Sequence, residues 1–157
     1  MSNERQTSIG KLRLLALLAL AACGEDGSAG GRLLVMLEAE ETILDGVEPG
    51  DGPEDLRDGW SLHFEQFIAT VGDIDLHLAT SEDVTAHDES AFAVDLTTVP
   101  AAGLPLWQLN GLRSGRWEFH YSTPSAADGA TRHDSVSEAD FDELRAAGGT
   151  YLLSGAL

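Results

Sequence analysis

Five histidines are the residues of this 157-residue chain whose side chains best suit metal binding or acid–base chemistry. Three of them, His63, His77 and His120, fall on the polar side of segments in which apolar and polar residues alternate, so they share a sheet face if those segments pair. Zinc and copper are bound by imidazole nitrogens and carboxylates that converge in space. Solvated strand positions are the simpler interpretation of these histidines, and a metal site is the alternative.

Carboxylates raise the question of a calcium site. Acidic residues and glycines are frequent in the segment 45–58, and Asp73 and Asp75 lie two positions apart on one face of a predicted strand. Calcium takes about six to eight oxygen ligands. When Asp73 and Asp75 are aligned with the EF-hand pattern, His77 and Leu78 occupy the positions of the next oxygen ligand and the glycine. A solvated acidic surface is therefore the simpler interpretation.

Nucleophilic catalysis has weaker support. The run His133-Asp134-Ser135 contains the residue types of a catalytic triad, but adjacency in sequence is not triad geometry. The chain has no Gly-x-Ser-x-Gly elbow, no Walker loop and no Gly-x-Gly-x-x-Gly motif. The sequence therefore assigns no catalytic residue, no metal ligand and no cofactor. A carboxylate pair brought together only in three dimensions is left open.

Composition narrows the classes of partner. The 27 acidic residues outnumber the nine Lys and Arg residues, which gives a net charge of −18 and argues against nucleic acid, because phosphate binding requires clustered cations. The 43% hydrophobic content is too high for a disordered acidic tail. The length predicts one domain, and the single cysteine excludes an intramolecular disulfide.

The first 24 residues have the order of an export signal. Three basic residues precede the apolar run 14–20, which is too short to cross a bilayer. The small residues of Leu20-Ala21-Ala22-Cys23 follow at the end of this run. This tetrapeptide resembles the lipobox of bacterial lipoproteins. In that family the cysteine receives a diacylglycerol, signal peptidase II cleaves before it, and the new amino group is usually acylated. An ordinary secretory signal and a short buried helix with a free thiol are the alternatives.

The resemblance implies a signal peptide over residues 1–22, a lipidated Cys23 that attaches the chain to a membrane, and a flexible tether over residues 23–32. Gly24 stands where an Asp would resemble the inner-membrane retention signal of enteric bacteria. The outer membrane of the cell envelope is therefore favoured over the inner membrane. Cleavage would remove three basic residues and one acidic residue, so the mature chain would carry a net charge of −20.

Alternating residues predict a mainly β domain over residues 33–157. Strands are predicted at residues 33–37, 60–71, 74–78, 92–96, 106–109, 117–121 and 150–153. The alternation changes phase between Phe64 and Phe67, which indicates a β-bulge near Gln66 or a strand buried on both faces. Turn-forming residues predict a turn or kink at Gly72-Asp73, a polar turn over 80–90, and turns at Asn110-Gly111 and Ser114-Gly115. A further short strand is predicted at 42–44.

One helix is predicted within residues 137–149. Ser137 is a suitable N-cap, acidic residues fill the first turns, and Gly148 provides a C-terminal stop. Phe141 and Leu144 lie on one face of this helix. Short strands with one short helix near the C-terminus predict an antiparallel β-sandwich, and the sequence leaves open whether this domain continues beyond its last residue.

Short motifs give a second, weaker resemblance over residues 58–153. Asp58-Gly59-Trp60 at a strand entry, Gly72-Asp73-Ile74, Asp95-Leu96 and Gly115-Arg116-Trp117 resemble a pattern of uncharacterised lipoproteins with immunoglobulin-like or transthyretin-like domains. This resemblance supports the sandwich and implies no chemistry.

Three tryptophans could form a stacking platform for a sugar or peptide, although core positions are the more common role. Trp117 alternates with Phe119 and Tyr121 and is expected in the core, and Trp107 is expected to be the most exposed of the three.

These observations lead to one expectation and two alternatives. We expect a lipid-anchored envelope protein with a non-catalytic binding or structural role and an unidentified protein or small-molecule partner. The first alternative is a lipoprotein that binds a divalent metal, calcium or copper. The second alternative is an envelope hydrolase.

The anchor is tested by Cys23→Ser. This change removes the thiol that would carry the lipid, and the chain should then move from the membrane fraction to the soluble fraction after cell fractionation. Equal membrane retention of the variant and the parent chain would contradict lipidation at Cys23.

Overall fold

The computed structural model describes residues 30–80 and 84–157. The predicted signal peptide, Cys23 and the tether up to residue 29 lie outside the described residues. The strands and helices are β1 (Gly31–Leu37), α1 (Glu41–Leu44), β2 (His63–Leu78), β3 (Val84–Asp95), β4 (Leu104–Leu112), β5 (Trp117–Ser122), β6 (Thr131–Arg132), α2 (Glu138–Ala146) and β7 (Tyr151–Ala156). Because β1 begins at Gly31, the last two residues of the predicted tether belong to a strand.

The strands form two sheets. β1 and β4 pair antiparallel as a two-stranded ribbon, and the other five strands form a second sheet around the long strand β2. β3 lies along one edge of β2, while β7 and β5 follow each other along its other edge. β6 adds a short parallel pairing to β3. A mainly β, sandwich-like fold with one short helix near the C-terminus is thus confirmed.

The ribbon covers one face of the larger sheet. Val35 of β1 and Trp107 of β4 are buried against Val71, Ile74 and other apolar residues of β2 and β3. The indole of Trp107 donates to the carbonyl of Ser90 at 3.2 Å, so its polar atom is satisfied within this core. The ribbon face is therefore the main hydrophobic core of the domain.

Helix α2 covers part of the opposite face. Leu144 packs with Ile68 of β2 in a second buried cluster that also contains Ala93, Ala126 and Val136. Because the two cores meet on either side of β2, its residues 68–71 are all buried. The sequence offers a bulge or burial on both faces as alternatives, and the structure shows both: the pairing with β7 shifts between Phe64 and Gln66, and residues 68–71 are buried.

Two irregularities in β2 change which of its residues face the ribbon. The pairing with β7 shifts between Phe64 and Gln66, as the change of phase predicts. As a result, the ring centres of Phe64 and Phe67 lie 5.2 Å apart. The pairings with β3 and β5 shift around Asp73, which has a φ of 54°. The predicted turn or kink at Gly72-Asp73 is therefore a bulge. The strands predicted at 60–71 and 74–78 are parts of the single strand β2.

Tertiary packing overrides several local predictions. The segment 42–44 forms the single turn α1 rather than a strand, because this places Ile43 in the main core. Asn110-Gly111 is not a hairpin turn, since β4 continues through it with a bulge at Gly111, where φ is 77°. The predicted turn over 80–90 largely belongs to β3, whose polar half pairs with β2.

The exposed tryptophan is also different from the predicted one. Trp107 is 5% exposed because the ribbon lies on β3, whereas Trp60 is 58% exposed in the segment before β2. Trp117 is partly buried against the main core, as expected.

Buried polar groups are satisfied by local partners. The carboxylate of Asp95 accepts hydrogen bonds from the backbone amides of Phe67 and Thr97. The hydroxyl of Thr70 lies 3.0 Å from the carbonyl of Thr150, which connects the entry of β7 to the middle of β2. Neither helix of the described residues is long and apolar enough to cross a membrane.

The predicted helix and its caps are confirmed. Ser137 accepts a hydrogen bond from the amide of Asp140, and Gly148 follows the helix with a φ of 62°. The Asp140 carboxylate bonds with the Ser137 hydroxyl and the Gln66 amide, and these bonds, in that order, lower the pKa of Asp140. Asp140 therefore links the first turn of α2 to Gln66 of β2, while Ser137 caps that turn.

Loss of this cap should destabilise the domain. We expect Ser137→Ala to lower the free energy of unfolding by about 1 kcal/mol, as for other N-cap serines, in urea unfolding followed by circular dichroism. Ser114→Ala, at an exposed turn position, is the control and should have little effect. Equal stability of the two variants would contradict the role of Ser137.

Candidate functional site

The part of the sheet that α2 leaves uncovered is lined by histidines and carboxylates. After the bulge at Asp73, Ile74 and Leu76 face the ribbon, so Asp75 and His77 point to the opposite face. Asp75 is paired with His87 of β3 on one side and with His120 of β5 on the other. Residues directly opposite each other on paired strands share a face. We call this surface, formed by Asp73, Asp75, His77, His87, Glu89, Glu118 and His120, the outer polar face.

Asp73, Asp75 and His87 form the tightest group on the outer polar face. One ligand atom from each lies within 4.8 Å of the other two. His87 Nδ1 contacts Asp75 Oδ1, and His87 Nε2 lies 3.6 Å from Asp73 Oδ1. Among the described residues, this is the group of three or more potential metal ligands that comes together.

The bulge is what brings Asp73 into this group. A residue with positive φ re-aims its side chain relative to a regular strand, and bulges of this kind are common beside functional sites. Asp tolerates the left-handed region better than most residues other than Gly and Asn. The backbone conformation and the carboxylate of Asp73 thus belong to the same local feature.

The neighbouring carboxylates raise the pKa of His87. The hydrogen bond that the Asp75 carboxylate accepts from the imidazole raises the pKa of His87, burial opposes this shift, and the negative charges of Asp75, Asp73 and Glu89 reinforce it. The cluster therefore attracts positive charge, whether a proton on His87 or a metal ion. Because a metal needs neutral imidazole, the two compete, and metal affinity should rise with pH.

The cluster is open enough to complete a coordination sphere with water. The side chains of Asp73, Asp75 and His87 are 49%, 27% and 35% exposed. One nitrogen and two carboxylate oxygens suit a four-coordinate ion with one water, which is a common arrangement for zinc. Three protein donors that include an imidazole are a poor match for calcium, which prefers about six to eight oxygens.

Convergence of His63, His77 and His120 is the alternative to solvated strand positions, and the structure brings together His77 and His120. The rings of His77 and His120 lie with their centres 5.2 Å apart and their planes at 88°. His63 does not take part, because it begins β2 while His77 lies near its end, so many residues of extended strand separate them. His63 Nε2 instead lies 3.3 Å from Glu48 Oε1.

The other sequence candidates have structural roles. Ser135 Oγ accepts from the amide of Asp95 and lies 2.9 Å from His133 Nδ1, so both side chains stabilise the turn before α2. Within the acidic segment 45–58, Asp55 accepts a hydrogen bond from the amide of Gly52 in a tight turn. An apolar crevice between the ribbon and β5 has room for about one water molecule, far less than a small-molecule pocket.

Comparison of the chain with protein-family models, with curated proteins and with solved structures finds no match.

Sequence reasoning found part of the candidate site and missed the rest. It placed Asp73 and Asp75 together, but it did not associate His87 with them, because residues 80–90 were predicted to form a turn. The missing information is the pairing of β3 with β2, which places His87 opposite Asp75. Such a pairing cannot be derived from the spacing of residues along the chain.

The electrostatic coupling is tested by Asp75→Asn. Loss of the hydrogen-bonded charge should lower the pKa of His87, measured by NMR titration of its imidazole. Since the folded pKa is raised, the pair contributes to stability below the unfolded pKa, and this contribution is lost as pH rises through the folded pKa.

The matched control for this titration is Asp51→Asn, which removes the same charge from the segment 45–58. It should leave the pKa of His87 close to that of the parent chain. If both variants lowered the pKa of His87 equally, the effect would reflect net charge rather than the contact with Asp75.

Proposed function

We propose that this chain is a lipid-anchored protein of the bacterial envelope whose domain binds a divalent transition-metal ion without catalysing a reaction. The observation that carries the metal proposal is the group formed by Asp73, Asp75 and His87, whose ligand atoms lie within 4.8 Å of one another. Two adjacent strands supply these residues, so backbone hydrogen bonds restrict their relative movement.

The donor set favours zinc or copper over calcium. Imidazole nitrogen is a good ligand for zinc and copper, whereas calcium is bound almost entirely by oxygen. Three carboxylates, including Glu89 at 3.6 Å from His87 Nε2, supply negative charge that a divalent ion would compensate. Copper, like zinc, therefore suits the cluster, and calcium does not.

The membrane location rests on the N-terminal sequence. The basic segment, the short apolar run and Leu20-Ala21-Ala22-Cys23 follow one another in the order of a lipoprotein signal. Two or three acyl chains on Cys23 would hold the protein firmly on a membrane, with the outer membrane favoured. The excess of acidic residues would keep the domain soluble beside that membrane and would attract cations to it.

Zinc titration of the chain carrying Cys23→Ser, which lacks the competing thiol, tests the metal proposal. Zn²⁺ should change the imidazole NMR resonances of His87. Saturation at about 100 times the Kd should raise Tm by roughly 5–10 °C, because an ion that binds only the native state stabilises it.

Asp73→Asn provides the matched variant, because Asn also tolerates the left-handed backbone conformation but lacks the charge. We expect the affinity of Zn²⁺ for the group that contains His87 to fall at least about tenfold, as it does when residues around metal ligands are changed in other proteins. His63→Gln, at the far end of β2, should leave it unchanged. If neither Zn²⁺ nor Cu²⁺ affected the His87 resonances, the metal proposal would be wrong.

A further inference from the structure

A second pair of potential metal ligands lies on the outer polar face beside the first cluster. His77 belongs to β2 and His120 to β5, and neither is part of the Asp73, Asp75 and His87 group. In the register of the two strands, His77 is opposite Glu118 and His120 is opposite Asp75. The two histidines are therefore diagonal neighbours on the same face, held by the pairing of β2 with β5.

The arrangement of the two rings fits a shared ion. Two imidazoles that bind one tetrahedral ion through nitrogens at about 2.0–2.1 Å place their ring centres roughly 5 Å apart. The observed separation is 5.2 Å, and the planes are nearly perpendicular at 88°. The rings lie edge to face, so one nitrogen of each would have to turn towards a common ion, and the strand register already holds the ring centres at the required separation.

The surroundings of the pair also favour a cation. Asp75 and Glu118 lie opposite the two histidines on the same face, so carboxylates flank the pair on both strands. His120 and Glu118 are exposed, which leaves space for water ligands. In contrast to an acidic cluster, the pair supplies two imidazole nitrogens, which favour copper and zinc over calcium or magnesium.

We propose that His77 and His120 form a second binding site for a transition-metal ion of the zinc and copper class. This site goes beyond the proposed function, because its two imidazole ligands are not ligands of the first cluster. Asp75 pairs with His120 on one side and His87 on the other, so it lies between the two sites. Strands in a sheet are about 4.8 Å apart, and the outer polar face would thus hold two neighbouring ions.

The experiment is a titration of the full chain carrying Cys23→Ser with Zn²⁺, followed by calorimetry and by imidazole NMR. We expect each chain to bind two equivalents of Zn²⁺. One of the two binding steps should change the resonances of His77 and His120 together. His120→Gln changes an exposed residue of an edge strand. It should lower the affinity of Zn²⁺ for the His77 and His120 site at least about tenfold and leave binding at His87 in place.

The second variant is His77→Gln, which should lower the Zn²⁺ affinity of the second site as much as His120→Gln does. His63→Gln is the control, and it should leave both equivalents in place. If the variants have the same circular dichroism spectra as the parent chain, unfolding is excluded as the cause of any loss of Zn²⁺ binding.

The possible failures separate the two sites. If the resonances of His87 respond to Zn²⁺ while those of His77 and His120 do not, the second site is wrong and the proposed function stands. If His77 and His120 respond together while His87 does not, the second site stands and the first is wrong. Unchanged binding in both His120→Gln and His77→Gln would also overturn the second site.

Discussion

The side chains of a β-strand alternate between two faces, and this constraint on β2 determines where the other elements pack. Over 16 residues, β2 must keep apolar side chains towards the ribbon, yet its apolar residues change phase twice. The bulge at Asp73 inserts one residue, so that Val71 and Ile74 both face the main core. Without it, Ile74 and Leu76 would face solvent, and Asp75 and His77 would face the ribbon.

The same bulge couples the core to the candidate site. It turns Asp75 and His77 to the face that α2 does not cover, and it gives Asp73 the conformation that brings its carboxylate near His87. Carboxylates gathered on one face repel one another, and a positive charge at their centre relieves that repulsion. A protonated His87 provides such a charge, and a divalent ion would provide a larger one.

The parts of the structure that sequence predicts are those set by local chemistry. The strands follow from alternation, and α2 follows from Ser137 and Gly148, because caps act within one turn of the helix. The parts that sequence misses depend on distant partners. Trp107 is buried because the ribbon lies on β3, and His87 faces Asp75 because β3 pairs with β2. Neither fact has a signature within a few residues of the side chain concerned.

The separation of the ribbon from the larger sheet has a mechanical consequence. β1 is the first described strand, and among the described residues it pairs with β4, which in turn pairs with no strand of the larger sheet. If the N-terminus is lipidated as proposed, a pull on it would load β1 first. From there the load would reach the larger sheet through side-chain packing and connecting loops rather than through a continuous ladder of hydrogen bonds. The histidines and carboxylates on the far side of β2 would be shielded from that strain.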